Sequence, residues 1–250
     1  MRGRTVATLL ASLGLSLLAG CGPEETPQLS PSVSPSAPTD TPTRPADPEE
    51  LLALAMENTW KAPSKRLSGT VVIAAAGQTK AFDYVYVGSL AHGTQTDAAP
   101  EGNSAMEVVK IGDDVYIRTD AVYWQWYVPL EQLKFVVGKW VKARYEDYPS
   151  TVPGASTTVT PPRREVTRVG TDTVGGTEVV VLSDGAGSRY LVDEDGPYLL
   201  RFAGVQDTPI GTAAVDIEFS QIGAVTEVIA APGGEIVDLY NLPKEAKGGH

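Results

Sequence analysis

From Leu67 onward the chain runs in short segments of period two, and that alternation restricts the fold more than any other feature. Residues 79–87 show it most clearly. Phe82, Tyr84 and Tyr86 fall on one face of an extended segment, with Asp83 and Val85 on the other. Residues 67–73, 106–111, 115–119, 165–170, 177–183, 188–192, 198–203 and 213–219 read as further strands. Turn signals divide them: Ala76-Gly77-Gln78, Gly112-Asp113-Asp114, Gly175-Gly176, Asp184-Gly185 and the acidic run from Asp193 to Pro197. A succession of about ten short strands with few helices predicts an α+β domain built on one large antiparallel β-sheet. A sheet of that width must twist and curl.

Two helices accompany the strands. Asp47 can cap, Pro48 suits the first turn, and Leu52, Ala55, Met56, Thr59 and Trp60 recur at helical spacing, so residues 48–60 form a helix with one apolar stripe. Pro129 to Gly138 reads as a shorter helix closed by the glycine, and residues 139–143 return to extended chain. Residues 146–163, with Pro149, Pro153, Pro161 and Pro162, read as a long loop. The two helical segments are expected to cover the concave face of the curled sheet. An apolar hollow or a packed core would use the same residues there.

The N-terminus carries an address. Arg2 and Arg4 precede an apolar run from Val6 to Leu18, too short for a comfortable membrane span of about 20 residues. It ends in Leu18-Ala19-Gly20-Cys21, an aliphatic residue and two small ones before a cysteine. This is the pattern of a bacterial lipoprotein signal cleaved before a lipidated Cys21. Cys21 is the only cysteine of the 250 residues, so no disulfide framework exists. Residues 22–45 contain seven prolines among Ser and Thr and almost no large apolar side chains. Such a tract cannot bury enough surface to offset its conformational entropy, and proline extends it. The expected organisation is therefore a signal peptide at 1–20, a disordered stalk at 21–46 lipidated at Cys21, a single domain at 47–243 and a polar tail at 244–250.

Charge narrows the function classes. Removal of Arg2 and Arg4 with the signal leaves 18 Lys and Arg against 31 Asp and Glu, a balance of −13. Nucleic-acid affinity comes largely from basic residues neutralising phosphates, so nucleic acid is not an expected partner. An acidic domain also gains nothing from an anionic bilayer, which leaves the acyl anchor to hold it at the extracytoplasmic face of the cell membrane. Catalytic and cofactor signatures are missing. His92 and His250 are the only histidines, and there is no Gly-x-Ser-x-Gly, His-Glu-x-x-His or phosphate loop. Neither an enzyme nor a cofactor is expected. Asp113-Asp114 and Asp193-Glu194-Asp195 are carboxylate clusters, but each stands beside a glycine where a hairpin turn already calls for acidic residues.

Several blocks together resemble lipoproteins of the LppX/LprG type, which have a LolA/LolB-like fold. They are RLSGTVVI (66–73), VKIGDDVYIRTD (109–120), YWQW (123–126), GKWVKA (138–143), VTRVGTDTVGGTEVVVLSDG (166–185), YLVDEDGPYLLRF (190–202), VDIEFSQIG (215–223) and APGGEIVDL (231–239). The resemblance covers roughly residues 49–240 and rests on strands and turns. It implies an unclosed antiparallel half-barrel with helices in its mouth and a hydrophobic cavity. It also implies carriage of a lipid, a glycolipid or another acylated molecule across an envelope space. On that reading Phe82, Tyr84, Tyr86, Trp124, Trp126, Phe135 and Trp140 are the candidate lipid-facing residues, since pockets for apolar ligands are lined mostly by such side chains. The alternative is a non-enzymatic interaction or sensor module that fills the cavity and binds an envelope protein.

Overall fold

The structure is a computed structural model and describes residues 47–148, 159, 162, 164–208 and 211–243. The expected signal peptide, Cys21, the expected stalk, most of the expected proline-rich loop and the expected tail lie outside the described residues.

Helix α1 (Pro48–Lys61) begins where Asp47 Oδ1 accepts hydrogen bonds from the backbone N–H groups of Glu49 and Glu50, at 2.7 and 3.2 Å. Twelve strands follow: β1 (Ser64–Ile73), β2 (Gln78–Val87), β3 (Leu90–Ala99), β4 (Gly102–Ile111), β5 (Asp114–Thr119), β6 (Trp140–Arg144), β7 (Thr167–Val174), β8 (Thr177–Ser183), β9 (Arg189–Asp193), β10 (Tyr198–Thr208), β11 (Gly211–Ser220) and β12 (Ile236–Asp238). Two one-turn helices, α2 (Ala121–Trp124) and α3 (Leu133–Val136), lie between β5 and β6. All twelve strands join one sheet in the order β12-β6-β5-β4-β3-β2-β1-β11-β10-β9-β8-β7. The sheet is open, with β12 and β7 at its edges.

Two meanders, β1 to β6 and β7 to β11, are thus sewn together along β1 and β11, where Leu67 faces Phe219 and Val71 faces Val215. The sheet is mixed and not purely antiparallel, because β12 runs parallel to β6 with Val237 beside Val141. A parallel strand needs a long crossover connection, and the segment 221–235, which runs from β11 to the far edge, is long enough to be one. Strands β3 and β12 are additions to the expected set. Residues 121–124 are helical, and the expected helix of 129–138 is a 3-10 turn at Leu130–Gln132 followed by α3.

Register shows which side chains share the inner face. Along one row run Phe219, Leu67, Tyr84, Gly93, Val108, Ile117 and Val141, and along the next Ile217, Gly69, Phe82, Gln95, Met106 and Thr119. α1 lies over the second meander on this face. Leu51, Leu52 and Ala55 join the main core, and the Trp60 ring meets Phe219 edge-on at 5.4 Å. Thr59, fully buried, fastens the helix to β10: its Oγ1 accepts from Leu199 N at 2.8 Å and lies 3.4 Å from Leu199 O. A smaller cluster of Val179, Val181 and Leu191 occupies the outer face of β8 and β9.

Candidate functional site

The inner face changes character along the strands. Beyond the Phe82 row the register brings Lys80, Asp97 and Ser104 side by side, and then Ala99 and Gly102, with Gln78 lining the same hollow. Polar residues at inward positions break the apolar alternation. Lys80 Nζ lies 3.8 Å from Asp97 Oδ2, and Gln95 Nε2 donates to both Asp97 oxygens at 2.9 and 3.1 Å. The segment after β5 folds back over this end. Asp120 caps α2 through Tyr123 N, and its second oxygen accepts from Ala105 N in β4 at 3.1 Å. Tyr123, Trp124 and Tyr127 pack together with ring centroids 4.9 to 6.4 Å apart, Trp124 meeting each tyrosine edge-on. Between this aromatic cover and the polar rows lies a hollow of about 310 Å³.

A second hollow, of about 430 Å³, lies against α1 and is lined by Glu49, Leu52, Ala53, Met56, Pro162 and Arg164. Its surface is mostly aliphatic, with one carboxylate and one guanidinium. A third, of about 390 Å³, is on the outer face, where the crossover segment passes over the first meander. There His92 Nε2 sits 3.1 Å from Glu227 Oε1, and the guanidinium of Arg66 pairs with the carboxylate of Asp83 through two nitrogens. The Arg66 hydrogen bond holds the Asp83 carboxyl below its usual range.

The seven aromatic residues expected to face a lipid are not one surface. Tyr84 and Trp124 are fully buried and Phe82 nearly so; all three belong to the continuous core. Tyr86 packs half-buried beside Tyr84 at 6.4 Å, and Phe135 is half-buried in the segment between β5 and β6. Trp126 alone lines the polar hollow while largely open to solvent, 67% exposed. Trp140 is on the opposite face. Val141 and Ala143 point inward, so Trp140 points outward, where Arg118 lies 4.8 Å over its ring. Burial pushes the Tyr84 and Tyr123 phenols well above their ordinary values.

Lys65 was not singled out by sequence reasoning. It is an inward position of β1 and only 5% exposed. Its Nζ donates to Trp60 O at 3.1 Å and lies 5.3 and 5.6 Å from the Trp60 and Tyr86 ring centroids. Desolvation lowers its pKa. The signal was present in the sequence, since Lys65 has the parity of Leu67 and Val71, but a lysine at a strand end ordinarily reads as exposed. The turn reading of the carboxylate clusters agrees with the structure. Asp193 Oδ1 accepts from Asp195 N at 3.0 Å, Glu194 pairs with Arg168, and Asp114 pairs with Lys142 at 2.8 Å. Among the described residues no cluster of His, Cys, Asp and Glu could hold a metal ion.

No family model matches the chain, and no curated protein does. Among solved structures it is similar to LprF from Mycobacterium bovis, at 14% identity and a TM-score of 0.48 over 74% of this chain and 97% of that one. It is also similar to the lipoprotein LppX from Mycobacterium tuberculosis, at 12% identity and a TM-score of 0.43 over 72% and 98%. A LolA superfamily protein from Nitrosomonas europaea matches at 9% identity and a TM-score of 0.26 over 70% and 92%. These likenesses concern backbone arrangement alone.

Proposed function

We propose that the protein is a lipid-anchored, extracytoplasmic binding protein that holds the acyl part of an amphiphile against α1. The observation that carries this reading is the aliphatic hollow of about 430 Å³ beside Leu52, Ala53 and Met56. Its size falls in the range of small-molecule sites, and its lining offers a saturated chain apolar contact without unmet hydrogen bonds. Arg164 and Glu49 place charge of both signs where a headgroup would leave the hollow. The N-terminal address supports the envelope location. No catalytic step belongs to this reading, which treats the protein as a carrier or store.

The test uses the full chain bearing Cys21→Ser, so that no covalent acyl group competes. Native mass spectrometry after incubation with envelope lipids should show a bound mass that organic extraction removes. Ala53→Trp, at an exposed position beside the hollow, should abolish that mass while the fold persists by circular dichroism. A bare protein, or a bound lipid indifferent to Ala53→Trp, sinks the proposal.

A second reading has its own observation. Phe82, Tyr84 and Trp124, three of the seven candidates for a lipid-facing surface, are consumed by the core. That favours a filled interior and a protein partner in the envelope. Crosslinking in intact cells tests it, and a specific partner recovered with a lipid-free protein is the supporting result.

A further inference from the structure

We propose that the hollow beneath residues 121–127 binds a neutral polyhydroxylated ligand, a pyranose ring stacked on Trp126 and hydrogen-bonded by Gln95, Asp97 and Lys80. The site goes beyond the acyl site against α1 and shares no lining residue with it.

Three observations converge on it. The first is the polarity of the floor. Gln95 is an inward residue, 3% exposed, between Phe82 and Met106 in the register, and its amide N–H groups reach only toward Asp97. A buried amide in an apolar row is costly unless its hydrogen-bonding capacity is met. With Gln78 and Ser104 alongside, the floor offers donors and acceptors together, which a hydroxyl can answer in both senses. The second is charge. Lys80 and Asp97 oppose each other at 3.8 Å and compensate each other, and Glu101, which also lines the hollow, leaves one net negative charge that disfavours an anion. The third is the wall. Trp126 keeps two thirds of its surface open while bordering a polar hollow. An indole face can cover the C–H face of a sugar ring while its hydroxyls reach the polar floor. The volume of about 310 Å³ suits a small saccharide better than a polymer, and an alkyl chain would leave the floor's polar groups unanswered.

The ring can come from a free saccharide or from the headgroup of a glycosylated amphiphile. Saturation-transfer NMR on the full chain with Cys21→Ser, against a panel of methyl hexopyranosides and the matching long-chain alkyl glycosides at millimolar concentration, separates the two. The proposal expects saturation of ring protons for at least one sugar. It expects binding at least about tenfold weaker in Trp126→Ala and in Asp97→Asn, with circular dichroism unchanged. Equal affinity for methyl and alkyl forms identifies the saccharide as ligand; a gain with the chain identifies a headgroup. Binding should survive Ala53→Trp, so failure of the acyl site and failure of this one are distinguishable. No transfer from any sugar, or transfer that Trp126→Ala and Asp97→Asn leave intact, overturns the proposal.

Discussion

Gly93 lies in β3 on the inner face, between Tyr84 of β2 and Val108 of β4. A Cβ built there would stand 2.1 Å from Asp83 O, 2.7 Å from Tyr84 Cα and 2.6 Å from Tyr84 Cδ1. Two of those atoms are backbone and cannot rotate away. Gly93→Ala must therefore part β2 from β3 along the row that carries Tyr84, Val108 and Ile117, all nearly inaccessible. Overpacking of a dense core costs about 1–3 kcal/mol, and a collision with backbone belongs at the upper end. For a domain of this size about 3 kcal/mol lowers Tm by about 6–12 °C. The assay is thermal unfolding followed by near-ultraviolet circular dichroism. Gly88→Ala is the control. Its space is open and its cost arises only from φ of 59°, about 1 kcal/mol. Tyr84→Ala should not rescue Gly93→Ala, because it removes only one of the three contacts. A Gly93→Ala protein melting within about 1 °C of the parent, or one rescued by Tyr84→Ala, refutes the reasoning.

Thr59→Val keeps the shape of the side chain but strands Leu199 N in the core; denaturant unfolding should show a loss of about 1–3 kcal/mol. Burial pushes the phenols of Tyr148 and Tyr190 up to about 12, from a model-compound value of 10.0. Stability from these neutral phenols is complete below pH 10 and drains away as pH rises toward 12, where the unfolded chain ionises first. Absorbance at alkaline pH should therefore show a late fraction of tyrosines that moves to pH 10 when the protein is unfolded in guanidinium. At the acid end, Arg66 and Arg201 lower the carboxyl pKa of Asp83 and Asp216, so their contribution is present above pH 3.8 and lost as pH falls through the lowered values. Because these side chains are more than a third exposed, Asp216→Asn should cost less than about 1 kcal/mol at pH 7.

Strand alternation made much of the sheet legible. Phe82, Tyr84 and Tyr86 do share a face, and Asp47 and Pro48 do begin the helix. β3 was illegible because its inward residues are Ala91, Gly93, Gln95 and Asp97, small or polar at every position where a strand ordinarily shows an apolar side chain. β12 is three residues long and acquires its identity only from Trp140, Val141 and Lys142 of β6 beside it. The candidate site suffered from a related limit. Trp124, Trp126 and Trp140 are near in sequence, yet the core takes one, solvent another and the outer face the third. Parity within a strand is local, whereas the relation between a loop tryptophan and a strand tryptophan depends on pairing formed elsewhere.

The seam between β1 and β11 has a consequence for how the molecule is made. Each meander can assemble from hairpins between near neighbours, but Arg66 and Ser220 meet across roughly 150 residues of chain, and entropy makes such closures slow. Until the seam forms, β1 and β11 each present a bare edge with Leu67, Val71, Val215 and Phe219 beside it. Those edges are complementary to each other and equally complementary to the same edges of another copy. Refolding at high concentration is therefore expected to yield a concentration-dependent dimer by exchange of halves, and size-exclusion chromatography showing monomer alone at every refolding concentration would refute this. An exchanged dimer would form the same β1–β11 pairing between chains, and dilution during folding favours the single chain.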